Sequence, residues 1–210
     1  MLREDAGDAA REETSKTRAR RREVPRQESY RIACGRRNFL AWSLAVGCGV
    51  LIPGAKAAAA AATAARELEF HNLHTGESLR AVYWEGGRYL PDALDAIDYV
   101  LRDFRTGDVR SIDPALLDLV HRLRLAMECD RPVHVISGYR CPATNAMLAR
   151  RSNGVAKNSY HVKGMAIDLR LPDRRLGDLR AAALVLAGGG VGYYPKSDFV
   201  HMDTGPMRSW

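Results

Sequence analysis

Ser159-Tyr160-His161-Val162-Lys163-Gly164-Met165-Ala166-Ile167-Asp168, read together with Asp198-Phe199-Val200-His201-Met202-Asp203, is the stretch on which the reading of this chain turns. Met165–Leu171 alternates apolar and polar residues as a half-buried strand does, and Phe199–Asp203 reads as a second strand. His161 precedes the first strand, Asp168 lies within it, and His201 sits on the second. Two neighbouring strands can aim all three side chains at one point. Two neutral imidazoles and one carboxylate suit Zn²⁺ and leave a fourth position open, as catalysis requires. A water there has its pKa lowered towards ~7 and becomes a nucleophile at neutral pH. Gly164 and Ala166 are small enough to let another segment approach the ligands closely. Taken singly, a His or an Asp is more often a packed or solvated residue than a ligand. The fixed spacing changes that weighting.

The flanking sequence reads as mixed α and β. Glu67–Leu73 and Leu79–Trp84 are strand candidates joined by the turn-like His74-Thr75-Gly76-Glu77. Leu94, Ile97, Leu101 and Phe104 recur at helical spacing, with Gly107 as a stop. Asp113-Pro114 offers an N-cap and first helical residue ahead of Leu116, Leu117, Val120 and Leu123. Pro132–Ser137 reads as a strand, and Pro142 can open a helix through Arg151. Leu176–Leu186 reads as a helix that stops at Gly188-Gly189-Gly190, before strands Val191–Tyr194 and Phe199–Asp203. Helices come first and strands cluster late, so the expected class is α+β rather than repeated βαβ.

The chain has 210 residues, 46% hydrophobic and 27% charged. That balance excludes a chain disordered throughout, a collagen-like repeat and a polytopic membrane protein. Of the net charge of +7, five units sit in residues 1–57, where 12 Lys and Arg face 7 Asp and Glu. The nearly neutral remainder lacks the charge excess that nucleic-acid binding demands, so no nucleic-acid partner is expected. Residues 1–33 are polar, without apolar period. Gly35-Arg36-Arg37-Asn38-Phe39-Leu40 then resembles a twin-arginine signal. The apolar run Ala41–Ile52 is short for a membrane span but suits a signal core, and Ala55-Lys56-Ala57 supplies small residues for cleavage. Residues 1–57 are therefore expected to be a polar lead plus signal peptide, 58–66 an Ala-rich linker, and 67–210 the working domain. A basic flank on a membrane anchor is the alternative; after cleavage no stable membrane span is expected. Cys129 and Cys141 remain after export, either bridged or as two buried thiols.

The pattern Ser-x-His-x-x-Gly-x-Ala-x-Asp at 159–168, with the later His201-x-Asp203, closely resembles the zinc D-alanyl-D-alanine peptidase family. That family includes VanX-type dipeptidases and shares its fold with hedgehog signalling domains. Ser137-Gly138-Tyr139-Arg140 matches another of its elements. Asn72–Ser78, Gly190–Pro195 and Phe199–Pro206 look closer still to the exported, YcbK-like murein endopeptidase branch. The resemblance spans about residues 67–210. It implies a small, mostly antiparallel sheet flanked by helices, hydrolysing peptide cross-links of peptidoglycan in the periplasm, with stem peptides as partner. It makes His161, Asp168 and His201 ligands of Zn²⁺. It makes Arg140 the cation facing the scissile carbonyl or a substrate carboxylate, a role that a fixed guanidinium suits. Asp198, three residues before the last ligand, is the favoured general base, and Asp203 competes for that role or supports a ligand.

Two other readings stay open. One is a D,D- or L,D-carboxypeptidase trimming stem peptides, which a closed pocket rather than an open groove would favour. The other is a non-catalytic peptidoglycan-binding module on the same fold, against which an intact Asp198 and Arg140 argue. Of the other aromatic and imidazole groups, Tyr193, Tyr194 and Trp210 read as core first and cleft second, His121 as solvated, and His71, His74 and His134 as structural. Lys157 and Lys163 read as solvated. If the signal is cleaved, N-terminal sequencing of the exported protein starts between Ala58 and Glu67; Arg36-Arg37 retained on a membrane-bound form would mean an anchor.

Overall fold

The computed structural model describes residues 64–151, 155–156 and 158–210. The expected lead and signal, most of the linker and Lys157 lie outside the described residues. Elements follow in the order β1 (Arg66–Asn72), β2 (Ser78–Glu85), β3 (Arg88–Tyr89), α1 (Pro91–Val100), α2 (Pro114–Ala126), β4 (Val133–Ser137) and α3 (Pro142–Arg151). A 3₁₀ turn (Tyr160–Lys163), β5 (Ala166–Arg170), α4 (Leu176–Leu186), β6 (Gly190–Tyr194), β7 (Phe199–Asp203) and β8 (Arg208–Ser209) complete them. Among the described residues no helix is long and apolar enough to cross a membrane.

The class is α+β, with one correction. The sheet is not small: eight strands join in the order β3-β2-β1-β4-β5-β7-β6-β8. Neighbours run antiparallel except β1 with β4 and β6 with β8. β3 and β8 are two residues each, too short to show an alternation in sequence. One face carries Leu68, Phe70, Val133, Val135, Ile167, Leu169, Val200 and Met202, which join residues of α1, α2 and α4 in one buried cluster. Each such large apolar side chain contributes roughly 1.5–3 kcal/mol by leaving water. The helices thus cover that face and leave the opposite one for Asp168, Arg170, Phe199 and His201.

The helix expected through Phe104 ends at Val100. Tertiary contacts override its periodicity: the Leu101 carbonyl accepts from Tyr139 N–H (2.7 Å) instead of continuing the helix. The buried Asp103 carboxylate accepts from the N–H groups of Arg105 (3.0 Å) and Cys141 (2.9 Å), closing a turn. At the next helix Asp113 caps as expected, accepting from Ala115 N–H (2.9 Å). α4 stops one residue before the glycine run, at Ala187 in the left-handed region. Cys129 and Cys141 are separate buried thiols. Cys141 Sγ meets Thr144 Oγ1 (3.4 Å), whereas Cys129 Sγ reaches the Arg131 carbonyl (3.9 Å).

Gly164 closes the 3₁₀ turn at φ 72°. Its carbonyl accepts from Asp113 N–H (2.9 Å), and a Cβ there would collide with the Ser111 carbonyl. The close approach expected beside the ligands is therefore made by the 111–113 segment. Gly164→Ala should lower stability by about 1–3 kcal/mol, from the left-handed backbone and the displaced neighbour. Urea unfolding of the metal-free chain measures it; an unchanged midpoint would mean that the turn relaxes freely.

Candidate metal centre

His161 stands on the 3₁₀ turn, whose Ser159 hydroxyl accepts from His161 N–H (3.3 Å). β5 and β7 pair so that Asp168 lies opposite His201. One ligand atom each from His161, Asp168 and His201 falls within 4.8 Å of the others, and all three residues are buried. His161 Nδ1 lies 2.7 Å from the Gly138 carbonyl. A carbonyl only accepts, so the ring proton sits there and Nε2 offers a lone pair. His201 Nε2 lies 2.9 Å from Asp203 Oδ2, which leaves Nδ1 as its free nitrogen in the neutral ring. His161 Nε2 and His201 Nδ1 then stand 3.2 Å apart, and Asp168 Oδ1 is 3.2 and 2.8 Å from them respectively. Two lone pairs and a carboxylate oxygen this close repel unless a proton or a metal ion lies between them. The donor set, two imidazoles and one carboxylate, fits a divalent transition metal of the zinc type.

Asp203 is fully buried. It accepts from Gly190 N–H (3.1 Å), Gly205 N–H (2.9 Å) and both terminal nitrogens of Arg208 (3.0 and 2.6 Å), besides the His201 ring. A carboxylate so engaged is placed to orient the His201 ring. Gly190 makes this possible, since a Cβ there would stand 2.6 Å from Asp203 Oδ2.

Arg140 is 9% exposed. Its terminal nitrogens reach Asp168 Oδ2 (3.4 Å), Ser137 Oγ (3.3 Å) and Asn145 Oδ1 (3.5 Å), while Nε has no partner among the described residues. These contacts are long, so the guanidinium keeps donors for a ligand. Asp198, the expected base, is not brought to the centre. It lies in the turn between β6 and β7 at φ 54°, with its side chain 60% exposed and paired to Arg170 on the rim. The left-handed turn directs this carboxylate along the sheet to Arg170.

A cleft of about 650 Å³ opens over the ligands, lined among others by Arg140, Tyr160, Tyr194, Phe199, Arg208 and Trp210. Tyr194 and Trp210 thus belong to the cleft, whereas Tyr193 packs on the core side. Arg208 escaped the sequence reading because an isolated arginine near a glycine-rich turn carries no period or motif. His74 stacks on Phe104 (3.9 Å between centroids), His71 faces His134, and His121, expected to be solvated, lies edge-on to Tyr83. Lys163 covers the Tyr160 ring.

Burial opposes the ionised Asp168, but the two facing imidazoles outweigh it and hold the carboxyl below the usual range. Burial likewise opposes a charged His201, yet its hydrogen bonds to Asp168 and Asp203 pull it up to about 9.

A buried centre of two imidazoles and a carboxylate, with an arginine beside it on the open face of an α+β sheet, is that of a metallopeptidase. A family described as peptidoglycan L,D-endopeptidase MepK, of the M15 peptidases, matches residues 60–210. The chain is 44% identical over 176 residues to the protein named peptidoglycan L,D-endopeptidase MepK of Escherichia coli strain K12, covering 83% of this chain and 96% of that one. It is 41% identical over 168 residues to the probable peptidoglycan L,D-endopeptidase MepK of Haemophilus influenzae, covering 80% and 90%. The chain belongs to this family and is a peptidase.

The raised His201 has a measurable consequence. Below about pH 9 the metal-free ring carries a proton, and a metal must displace it. Metal affinity should therefore rise about tenfold per pH unit between pH 6 and 8, with close to one proton released per ion. Chelator competition at pH 6, 7 and 8 checks this; a flat profile would show that proton and metal do not compete.

Proposed function

We propose that this chain is a zinc-dependent murein endopeptidase that hydrolyses peptide cross-links of peptidoglycan outside the cytoplasm, at an L,D bond. The observation that carries the reading is the convergence of His161, Asp168 and His201 within 4.8 Å at the floor of the cleft. The family supports the bond class, since the relatives are named L,D-endopeptidases. The cleft mouth is formed by exposed residues such as Asn158, Ser197 and Trp210, and an open groove favours cross-linked stems over a chain end. The twin-arginine-like segment supports export, because this substrate lies beyond the cytoplasmic membrane. The shared motifs also support grouping the fold with the hedgehog and D-alanyl-D-alanine peptidase type.

In this reading His161, Asp168 and His201 hold the metal, which when bound acts as a Lewis acid that makes water nucleophilic at neutral pH. The Gly138 carbonyl and Asp203 keep both imidazoles in the ligating tautomer. Arg140 faces the carbonyl oxygen that gains charge as the peptide bond is attacked. Asp198 takes the proton of the attacking water and returns it to the leaving amine. To do so it leaves Arg170. An exposed ion pair of this kind contributes only about 0–1 kcal/mol, so the rotation costs little. Both neighbours of Asp198 along the chain, Ser197 and Phe199, line the cleft. Asp203, with every oxygen engaged, has no such freedom.

Digestion of purified cross-linked peptidoglycan, followed by mass analysis of the fragments, tests the reading. The metal-loaded protein should release stem-peptide fragments cut at one bond class, and chelator should abolish release. Asp198→Asn should keep its metal and fold but lose turnover about 10²–10⁴-fold. Intact peptidoglycan after digestion would refute the function, and an active Asp198→Asn protein would refute the base.

A further inference from the structure

Trp210 is placed by six separate contacts. Its carbonyl accepts from Tyr193 N–H (3.0 Å), and its own N–H donates to Val191 O (3.2 Å). Its indole occupies the space above Gly192, where a Cβ would stand 2.7 Å from the ring. Because Gly192 pairs with His201 across β6 and β7, the indole comes to rest beside the His201 imidazole, centroids 5.3 Å apart. The Arg208 guanidinium covers it at 5.1 Å. Although Trp210 is 47% exposed and water could serve its N–H, the indole donates instead to the Tyr194 hydroxyl oxygen at 2.7 Å.

That bond decides where the tyrosine's own proton goes. An indole N–H only donates, so Tyr194 must accept, and its O–H is left pointing away from Trp210. Among the described residues no acceptor for that proton is present. The ring itself is held by stacking on Phe199, centroids 4.5 Å apart and nearly parallel. Tyr194 lines the same cleft as Arg140 and His201. The result is a neutral donor in the cleft whose direction the indole restricts, bonded to the same Trp210 that lies against His201.

We propose that the Tyr194 hydroxyl donates a hydrogen bond to the carbonyl oxygen of the peptide bond being cut, alongside Arg140, and that Trp210 is the positioning residue that aims it. This rests on the peptidase reading above. A carbonyl oxygen held by this hydroxyl gains charge during attack, so in this placement the bond strengthens in the transition state and acts on kcat more than on KM.

The test compares the full, metal-loaded chain with Tyr194→Phe, Trp210→Phe and the double variant on one cross-linked muropeptide, recording kcat, KM and bound metal. Tyr194→Phe keeps the ring stack and should keep its metal and, within about twofold, its KM, while kcat falls about 10–100-fold. Trp210→Phe should lower kcat comparably. The double variant should be no worse than the poorer single one, because both remove the same aimed proton. An unchanged kcat in Tyr194→Phe, a loss confined to KM, or loss of metal from that variant would overturn the donor role. Single losses that multiply in the double variant would overturn the positioning role. A parent that cuts nothing would sink the peptidase reading itself, before any variant is compared.

Discussion

Two imidazole nitrogens facing each other at 3.2 Å are the constraint around which the rest of the site is arranged. In water such a pair would rotate apart. Here both rings are pinned from behind, one by the Gly138 carbonyl and the other by Asp203. Each pin is itself built into the fold. Gly138 follows β4, whose last residue, Ser137, pairs with Asp168. Asp203 ends β7, two residues beyond His201, and is held by two backbone N–H groups and Arg208. The order β4-β5-β7-β6 thus brings Asp168, His201, Asp203 and the Gly138 carbonyl together from adjacent strands or their ends, while the 3₁₀ turn before β5 supplies His161. A shift of one residue in the β5–β7 register would send Asp168 and His201 to opposite faces.

The same arrangement explains how so many charged groups can be buried. Asp168, Asp203 and Arg140 lie at or below 9% exposure, and an unpaired charge there would be strongly destabilising. Asp203 is compensated fully by Arg208, His201 and backbone donors. Asp168 is met by the His161 and His201 rings on one oxygen and by Arg140 at 3.4 Å on the other, while Arg140 has only long contacts, to Asp168, Ser137 and Asn145. The incomplete satisfaction falls where a cation and a substrate have to enter, and the complete satisfaction falls one shell behind. The sheet face covered by α1, α2 and α4 supplies the apolar burial that keeps this polar face in register.

Much of this was legible in the sequence, and the exceptions have physical causes. The ligand spacing at 159–168 and 198–203 was readable because a strand alternates with a fixed period, so Asp168 and His201 had to share a face with each other and not with Ile167 or Val200. α4 was readable for the same reason with a different period. α1 was overextended because the Leu101 carbonyl leaves the helix for Tyr139, a contact between residues 38 positions apart. The position of Asp198 could not be read, since the backbone of a turn and the choice of an exposed partner are set by what lies across the sheet. Tyr194 and Trp210 looked like core aromatics because composition does not distinguish an aromatic packed against leucines from one packed against a histidine ligand.

β8 shows why short elements matter most where they are least visible. Two residues pair with β6 at the edge of the sheet, which by itself is a weak attachment. Yet Arg208 on it holds Asp203, and Trp210 just after it lies against His201 while bonding Tyr194. The side chains anchor the strand as much as the strand places the side chains: the Arg208–Asp203 pair is half buried, and Gly192 leaves a seat for the indole. Fraying of this edge would release the support of a candidate metal ligand, His201, and one wall of the cleft together. Local stability at the sheet edge is therefore coupled to the geometry of the candidate metal centre through Arg208 and Trp210.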